Sequence, residues 1–245
     1  MKTGPGRQTG ILACAAFLLA EAVLFGWILR TTFGEGNGDA ARYASIVLCA
    51  VFALARLAAA AKGGKRSRIA EAAFLFAAFA FSAAADWFLV FDPDRALPAV
   101  CLFGIAQIFH ALRVMNAAGG LSKRWLAVRL LLLAAGAAVL AVSRISDPLI
   151  YAGTFYILNL TVSFARSFGP AVRTRAYRIL PAGLFLFILC DVTVGLRGMG
   201  ASWGLPGQLL RTAADLTYIF YVPSQVLIAL AGIEFRRRDA SWKTS

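Results

Sequence analysis

IAEAAFLFAAFAFSAAADWFLVF, residues 69–91, decides the fold. The stretch runs for 23 residues with no Gly or Pro and only two charges, Glu71 and Asp86. A helix needs about 20 apolar residues to cross the hydrocarbon of a bilayer, and a helix satisfies its own backbone hydrogen bonds there without water. A surface helix of a water-soluble protein would carry a polar face at a spacing of about 3.6 residues, and this one carries none.

Seven further windows of the same character lie around it. In order, the eight run from Gly10 to Arg30, Tyr43 to Ala61, Ile69 to Phe91, Pro98 to Met115, Trp125 to Val142, Pro148 to Phe168, Arg178 to Gly198 and Thr212 to Phe235. The expectation is an all-α polytopic membrane protein: one transmembrane domain over residues 1–245, built as a bundle of about eight helices. Composition agrees, since 60% of the chain is hydrophobic and the mean hydropathy is +0.73, too apolar for a single soluble core of this size. The breakers fall between windows, at Gly34-Glu35-Gly36-Asn37-Gly38, Asp92-Pro93-Asp94, Ala117 to Gly120 and Gly198 to Gly207. The stretch Ala201 to Leu210 reads as a short interfacial helix with Trp203 at headgroup depth. No linker is long enough to separate two domains.

A net charge of +13 on a soluble domain would suggest nucleic acid, but here the cations collect in the short connections. They alternate. One side takes Lys2 and Arg7, then Lys62, Lys65, Arg66 and Arg68, then Arg113, Lys123 and Arg124, then Arg166, Arg173, Arg175 and Arg178, then Arg236, Arg237 and Arg238. The other takes Glu35, Asp39, Asp92, Asp94 and Asp147, with few cations. Lysine and arginine stay on the cytoplasmic side, so both termini are expected in the cytoplasm, in a multi-pass protein of a bacterial cytoplasmic membrane with no nucleic-acid partner. The first window follows Lys2 and Arg7 as a signal peptide would, but it continues to about Ile28 and is read as a first spanning helix. Ile11-Leu12-Ala13-Cys14 has almost no apolar segment before it and is not read as a lipidation site.

Ionisable groups deep in a span cost several kcal/mol and are therefore candidates for function. Those well inside the windows are Glu21, Asp86, His110 and Asp191, with Gln107, Asn159 and Gln225 as deep uncharged polar groups. Ser82 precedes Asp86 by one turn on the same face, amid alanines that allow close helix packing. Each aspartate alone is equally consistent with a packing hydrogen bond or a partner for an intramembrane arginine. As a pair they suggest more: of two carboxyl groups brought together in low dielectric, one keeps its proton and one ionises, the division that general acid–base chemistry needs. Polar stripes at helical spacing appear at Tyr156, Asn159 and Ser163 and again at Asp215, Tyr218, Tyr221 and Gln225, fitting either a cavity wall or interhelical hydrogen bonds. His110 is the single histidine, so the zinc sites of seven-helix membrane hydrolases, which need several, are disfavoured and no metal is expected. The cysteines, Cys14, Cys49, Cys101 and Cys190, all lie in apolar runs and read as small buried hydrophobes rather than disulfides or ligands. No G-x-S-x-G, H-E-x-x-H or phosphate loop is present, nor a mid-span lysine in the last helix for a retinal Schiff base.

Three blocks of these residues resemble the lysoplasmalogenase, or YhhN-like, family of membrane proteins, which have about eight helices. The first runs from Phe81 to His110 and holds Ser82, Asp86, then Phe103-Gly104 and a histidine six residues after that glycine. The second is Gly183-Leu184-Phe185-Leu186-Phe187-Ile188-Leu189-Cys190-Asp191. The third is Tyr221-Val222-Pro223-Ser224-Gln225-Val226-Leu227-Ile228. The sequence departs from the family pattern at Ala85, where a glycine often precedes the first aspartate, at Cys190, where a serine often precedes the second, and at Arg113, where a tyrosine often follows the histidine.

The resemblance implies hydrolysis of the vinyl ether bond of lysoplasmalogens to a fatty aldehyde and glycerophosphoethanolamine or glycerophosphocholine, with no metal or organic cofactor. In that reading Asp86 and Asp191 are catalytic. Glu21, Ser82, Gln107, His110, Asn159, Tyr218, Tyr221 and Gln225 contact a lysophospholipid-like substrate. The alternative from another class is a carrier or binding protein for a small amphiphile. A transporter would show repeats and broken mid-membrane helices, and neither is clear.

The charge alternation generates a topological prediction. Single cysteines placed beside Asp39 and Asp94 should react with an impermeant maleimide from the non-cytoplasmic side; labelling only from the cytoplasm would overturn the in-to-in arrangement.

Overall fold

The computed structural model describes residues 5–34, 37–62, 65–120, 122–169, 172, 175–199 and 204–233. Eight helices follow in chain order: α1 (Pro5–Phe33), α2 (Asp39–Ala61), α3 (Arg66–Phe91), α4 (Ala96–Ala117), α5 (Lys123–Val142), α6 (Pro148–Ser167), α7 (Leu180–Met199) and α8 (Gly207–Leu230). All eight are long and apolar enough to span a membrane. Among the described residues there is no strand. Trp203, Glu35, Lys2, Arg173 and Arg236 to Arg238, used above as interface or topology markers, lie outside the described residues, as does the start of the expected interfacial stretch, whose end belongs to α8.

Local chemistry accounts for the helix ends. Asp147 caps α6 by accepting from the Leu149 amide at 2.8 Å, with Pro148 in the first turn where its missing N–H costs nothing. α4 stops at Gly119 and Gly120, both at positive φ, where the Gly120 amide returns to the Met115 carbonyl at 2.9 Å.

α2, α3, α4, α6, α7 and α8 form a closed ring, each packed on the next and α8 returning to α2. α1 lies in the groove between α2 and α8. α5 packs against α6, and Leu140 is its single buried residue. A helix apolar on every side with so little burial is one that faces lipid. Glycines set the closest approaches. A Cβ on Gly183 of α7 would meet Leu227 Cβ of α8 at 3.1 Å, and one on Gly136 of α5 would meet Leu158 of α6 at 2.8 Å.

The α1–α2, α3–α4, α5–α6 and α7–α8 connections share one end of the bundle, called here the acidic end for Asp39, Asp92, Asp94 and Asp147; the opposite end is the basic end. At the basic end the structure corrects the sequence reading twice. The eighth window was expected to run to Phe235, but α8 ends at Leu230, and Gly232 turns the chain with φ 84. Arg113 and Arg166, both expected among the cytoplasmic loop cations, are only 1% and 5% exposed within α4 and α6. The end of α8 and the burial of Arg113 have one cause.

A helix leaves its last carbonyls without intrahelical partners, and in a membrane bundle there is little water to take them. Here five consecutive carbonyls are satisfied. Those of Leu227 and Leu230 accept from the Ala231 and Ile233 amides. Arg113 donates Nη1 to Ile228 O at 2.9 Å and Nη2 to Ala231 O at 2.5 Å. Arg56 of α2 donates Nη1 to Ala229 O at 2.6 Å and to Ala231 O at 3.0 Å. Glu71 of α3 balances both cations, taking Arg113 Nε at 2.8 Å and Arg56 Nη2 at 3.2 Å. Tyr177, in the α6–α7 connection, also hydrogen-bonds Glu71. Burial first, and then the neighbouring Glu71 against the opposing arginines, pushes its phenol up to about 12, so it remains a donor at any physiological pH. The Gly232 amide reaches Ala176 O at 2.7 Å, and a Cβ there would come within 2.8 Å of Glu71 Oε1.

Breaking a buried ion pair by removing one partner typically costs about 3–5 kcal/mol. Arg113→Met should therefore lower the thermal unfolding midpoint in detergent substantially, and Glu71→Gln should be strongly non-additive with it in a double-mutant cycle. Single variants within about 0.5 kcal/mol of the parent would show that this cluster does not hold the helices.

Candidate functional site

The interior of the ring carries a column of polar side chains from the basic to the acidic end. Each helix contributes a stripe at three- and four-residue spacing. On α3 the buried positions include Glu71, Leu75, Phe79, Ser82 and Asp86; on α4 they include Phe103, Gln107, His110 and Arg113. α6 adds Tyr156, Asn159 and Ser163, and α8 adds Thr217, Tyr221, Ser224 and Gln225. Above the ionic cluster sits His110, edge-on to Phe79 with centroids 6.0 Å apart. One turn further along their helices come Gln107 and Ser82, and beyond Ser82 comes Asp86.

The two aspartates are held in matched fashion. Asp86 Oδ2 accepts from the Tyr221 hydroxyl at 2.6 Å, and Asp191 Oδ1 accepts from the Tyr156 hydroxyl at 2.5 Å. Each tyrosine comes from a different helix than its aspartate, so α8 is tied to α3 and α6 to α7. The Phe187 ring joins the two halves, its centroid 5.8 Å from that of Tyr221 and 6.3 Å from that of Tyr156, with Phe103 on the far side of Tyr156 at 5.9 Å. Asp86 lies within electrostatic reach of Tyr156, Tyr218, Cys49 and Cys190. The carboxylates therefore border one aromatic-walled interior without bonding each other directly. Pro223 supports this arrangement: lacking an N–H, it leaves the Ile219 carbonyl outside the helical ladder, and Ser224 Oγ turns back to Tyr221 O at 2.6 Å.

Within this interior, buried polar atoms without a protein partner are concentrated. They are Ser82 Oγ, both amide atoms of Gln107, His110 Nε2, Gln225 Oε1 and Asp191 Oδ2. Native interiors leave few such groups unpaired. Gln225 Nε2 uses its donor on Ser224 Oγ at 3.2 Å.

Other expected site residues are committed elsewhere. Glu21 of α1 is buried against α2, where it accepts from Ser45 Oγ at 2.7 Å and from Cys49 Sγ at 3.4 Å. Asn159 Nδ2 donates to Phe155 O at 2.8 Å on its own helix. Tyr218 stands under Arg42 at the acidic end. Cys49 thus does more than fill space, and Cys101 is exposed rather than buried. Among the described residues no three of His, Cys, Asp and Glu converge as metal ligands would.

An open groove of about 760 Å³ runs between α6 and α7, lined by Phe164, Phe168, Tyr177, Arg178 and Phe185 among others. It contains none of the expected site residues and lies toward the basic end, away from both aspartates.

Arg56, Arg42 and the role of Glu71 escaped the sequence reading although each is a charge inside or at the edge of an apolar window. Two opposite charges near the same end of adjacent spans, Arg56 and Glu71, were the available signal.

Comparison with known proteins gives a family. The YhhN family model matches residues 41–232, and the chain belongs to that family, the family of lysoplasmalogenases. No curated protein and no solved structure matches it.

Proposed function

We propose that this member of the YhhN family hydrolyses the vinyl ether bond of lysoplasmalogens, with Asp86 and Asp191 sharing the acid–base chemistry. The observation that supports this most directly is the matched tethering of the two carboxylates. A tyrosine hydroxyl fixes one oxygen of each, at 2.6 and 2.5 Å, which orients the other. For Asp191 that other oxygen is buried with no protein partner.

The reaction suits such a pair. A carboxylic acid delivers its proton to the vinyl carbon one bond removed from the carbon that bears oxygen, leaving an oxocarbenium ion. The second carboxylate, ionised, stabilises that cation and takes a proton from the water that adds to it. As the hemiacetal collapses to aldehyde and alcohol, the second carboxyl gives its proton to the leaving glycerol oxygen and the first takes the hydroxyl proton, so one water is consumed and both groups are restored. Paired carboxylates serve glycosidases in the same way. Ser82, Gln107, His110 and Gln225 supply hydrogen bonds for the water and the glycerol oxygens, and the ring of Phe103, Tyr156, Phe187 and Tyr221 seats the alkenyl chain. Which aspartate is the acid depends on the pose of the substrate between them.

Incubating purified protein in detergent with a lysoplasmalogen and measuring released aldehyde tests the reading. General acid–base help is worth about 10²- to 10⁴-fold in rate, so Asp86→Asn and Asp191→Asn should each lower turnover by at least about 10²-fold with the fold intact. Tyr156→Phe and Tyr221→Phe, which remove one hydrogen bond to a carboxylate, should cost roughly 10-fold or more. Ser82→Ala should cost less than either aspartate change. Binding of the lipid by the parent without any aldehyde would favour a carrier instead, and near-parental turnover in both Asn variants would make the aspartates structural.

A further inference from the structure

Arg42, at the start of α2, plays no part in the chemistry above. Its guanidinium stands 4.2 Å from the centroid of the Tyr218 ring. Nη1 pairs with Asp39 Oδ1 at 2.9 Å, Nη2 reaches Thr32 Oγ1 at a long 3.5 Å, and Nε is buried with no protein partner. The side chains of Arg42 and Asp39 are 22% and 35% exposed, so the pair sits at the surface of the acidic end. An exposed ion pair three residues apart on one helix is ordinarily worth about 0–1 kcal/mol. That account covers Nη1 but neither the stacked face nor the unpartnered Nε.

The position relative to Asp86 follows from aromatic contacts. Tyr43 meets Trp87 at 5.5 Å and Phe91 at 5.4 Å, so Arg42 is level with the last turn of α3. That places its guanidinium on the order of 5–10 Å beyond the Asp86 carboxylate, at 1.5 Å per helical residue. Tyr218 precedes Tyr221 by one turn of α8, and Tyr221 holds Asp86. Arg42, Tyr218, Tyr221 and Asp86 thus form a continuous wall from the membrane surface inward.

We infer that Arg42 and Asp39, backed by Tyr218, form a head-group subsite for a zwitterionic phosphodiester. The inference rests on the reading of the site as a lysophospholipid site and deepens it. Six bonds separate the oxygen-bearing vinyl carbon of a lysoplasmalogen from its phosphorus, about 7 Å when extended at roughly 1.2 Å per bond. With that carbon at Asp86 the phosphate reaches the Arg42 guanidinium, whose Nε has no protein partner and whose Nη2 is held only by the long contact to Thr32. The ammonium then falls to Asp39. A zwitterion meeting an oppositely arranged pair adds no net charge, whereas a phosphate monoester lacking the ammonium leaves Asp39 facing an anion.

The test is equilibrium binding of non-cleavable saturated 1-O-alkyl glycerols to the full chain in detergent, bearing phosphocholine, a phosphate monoester or a free hydroxyl. The parent should prefer phosphocholine. Arg42→Gln should lose at least about tenfold of the preference for phosphocholine over hydroxyl, and Arg42→Lys should recover part of it. Asp39→Asn should narrow the gap between phosphocholine and the monoester, and it decides the matter alone if Arg42→Gln does not fold. Unchanged preferences in folded variants overturn the subsite, as does equally strong competition by inorganic phosphate, which would mark a site for soluble anions. Asp86→Asn should keep the parental preference while losing aldehyde release. Arg42-dependent preference in a parent that releases no aldehyde would sink the hydrolase reading and leave the subsite standing; aldehyde release with no such preference would do the reverse.

Discussion

The carbonyl end of α8 has to be hydrogen-bonded inside a bundle that offers little water, and the rest of the structure is arranged around that requirement. Arg56 and Arg113 answer it, Glu71 neutralises them, and four helices are thereby pinned at one end. The pin also sets register. A Cβ on Gly232 would stand 2.8 Å from Glu71 Oε1, so those two positions are level. From that level Asp86 is about 22 Å up α3 and Tyr221 about 16 Å up α8, at 1.5 Å per residue. Side chains lean toward the N-terminus of their helix, which on α8 is the acidic end. The tyrosine's reach therefore covers the difference, and its hydroxyl meets Asp86.

Polar groups in this interior fall into two kinds. At the basic end every donor of Arg113 that the structure records has an acceptor, and the cluster is closed. Toward the middle, Ser82, Gln107, His110 and Gln225 keep atoms unpaired. A low-dielectric interior makes satisfied networks rigid and unsatisfied ones costly. The contrast separates a part that holds the molecule together from a part rich in unpaired polar atoms, with Asp86 beyond the latter, toward the acidic end.

The helices were legible because a spanning segment announces itself by length and apolarity, and Asp86 and Asp191 because an acid in such a segment is conspicuous. Their tyrosine partners were legible only as stripes: spacing shows that Tyr156 and Tyr221 face inward, and nothing in a single chain says which carboxylate each will meet. Arg113 was misplaced because a cation near the end of a span reads equally well as a loop charge, and only the position of α8 distinguishes the two. Arg42 was passed over for a similar reason, since its meaning depends on Tyr218 of a helix 176 residues later. The end of α8 was overrun because Gly232 follows apolar residues and its turn is dictated by neighbours, not by its own flanks.

The ionic cluster has a consequence for how the molecule is made. Arg56, Glu71 and Arg113 are synthesised more than 90 residues before Gly207, where α8 begins, whereas the carbonyls the two arginines hold belong to the end of α8. During insertion these charges enter the membrane before their acceptors exist, and the six-helix ring stays open on the α2 side until α8 arrives. α8 is therefore the keystone of assembly. A chain interrupted before α8 would present an open bundle with exposed buried charge, the kind of intermediate that membrane quality control recognises and removes.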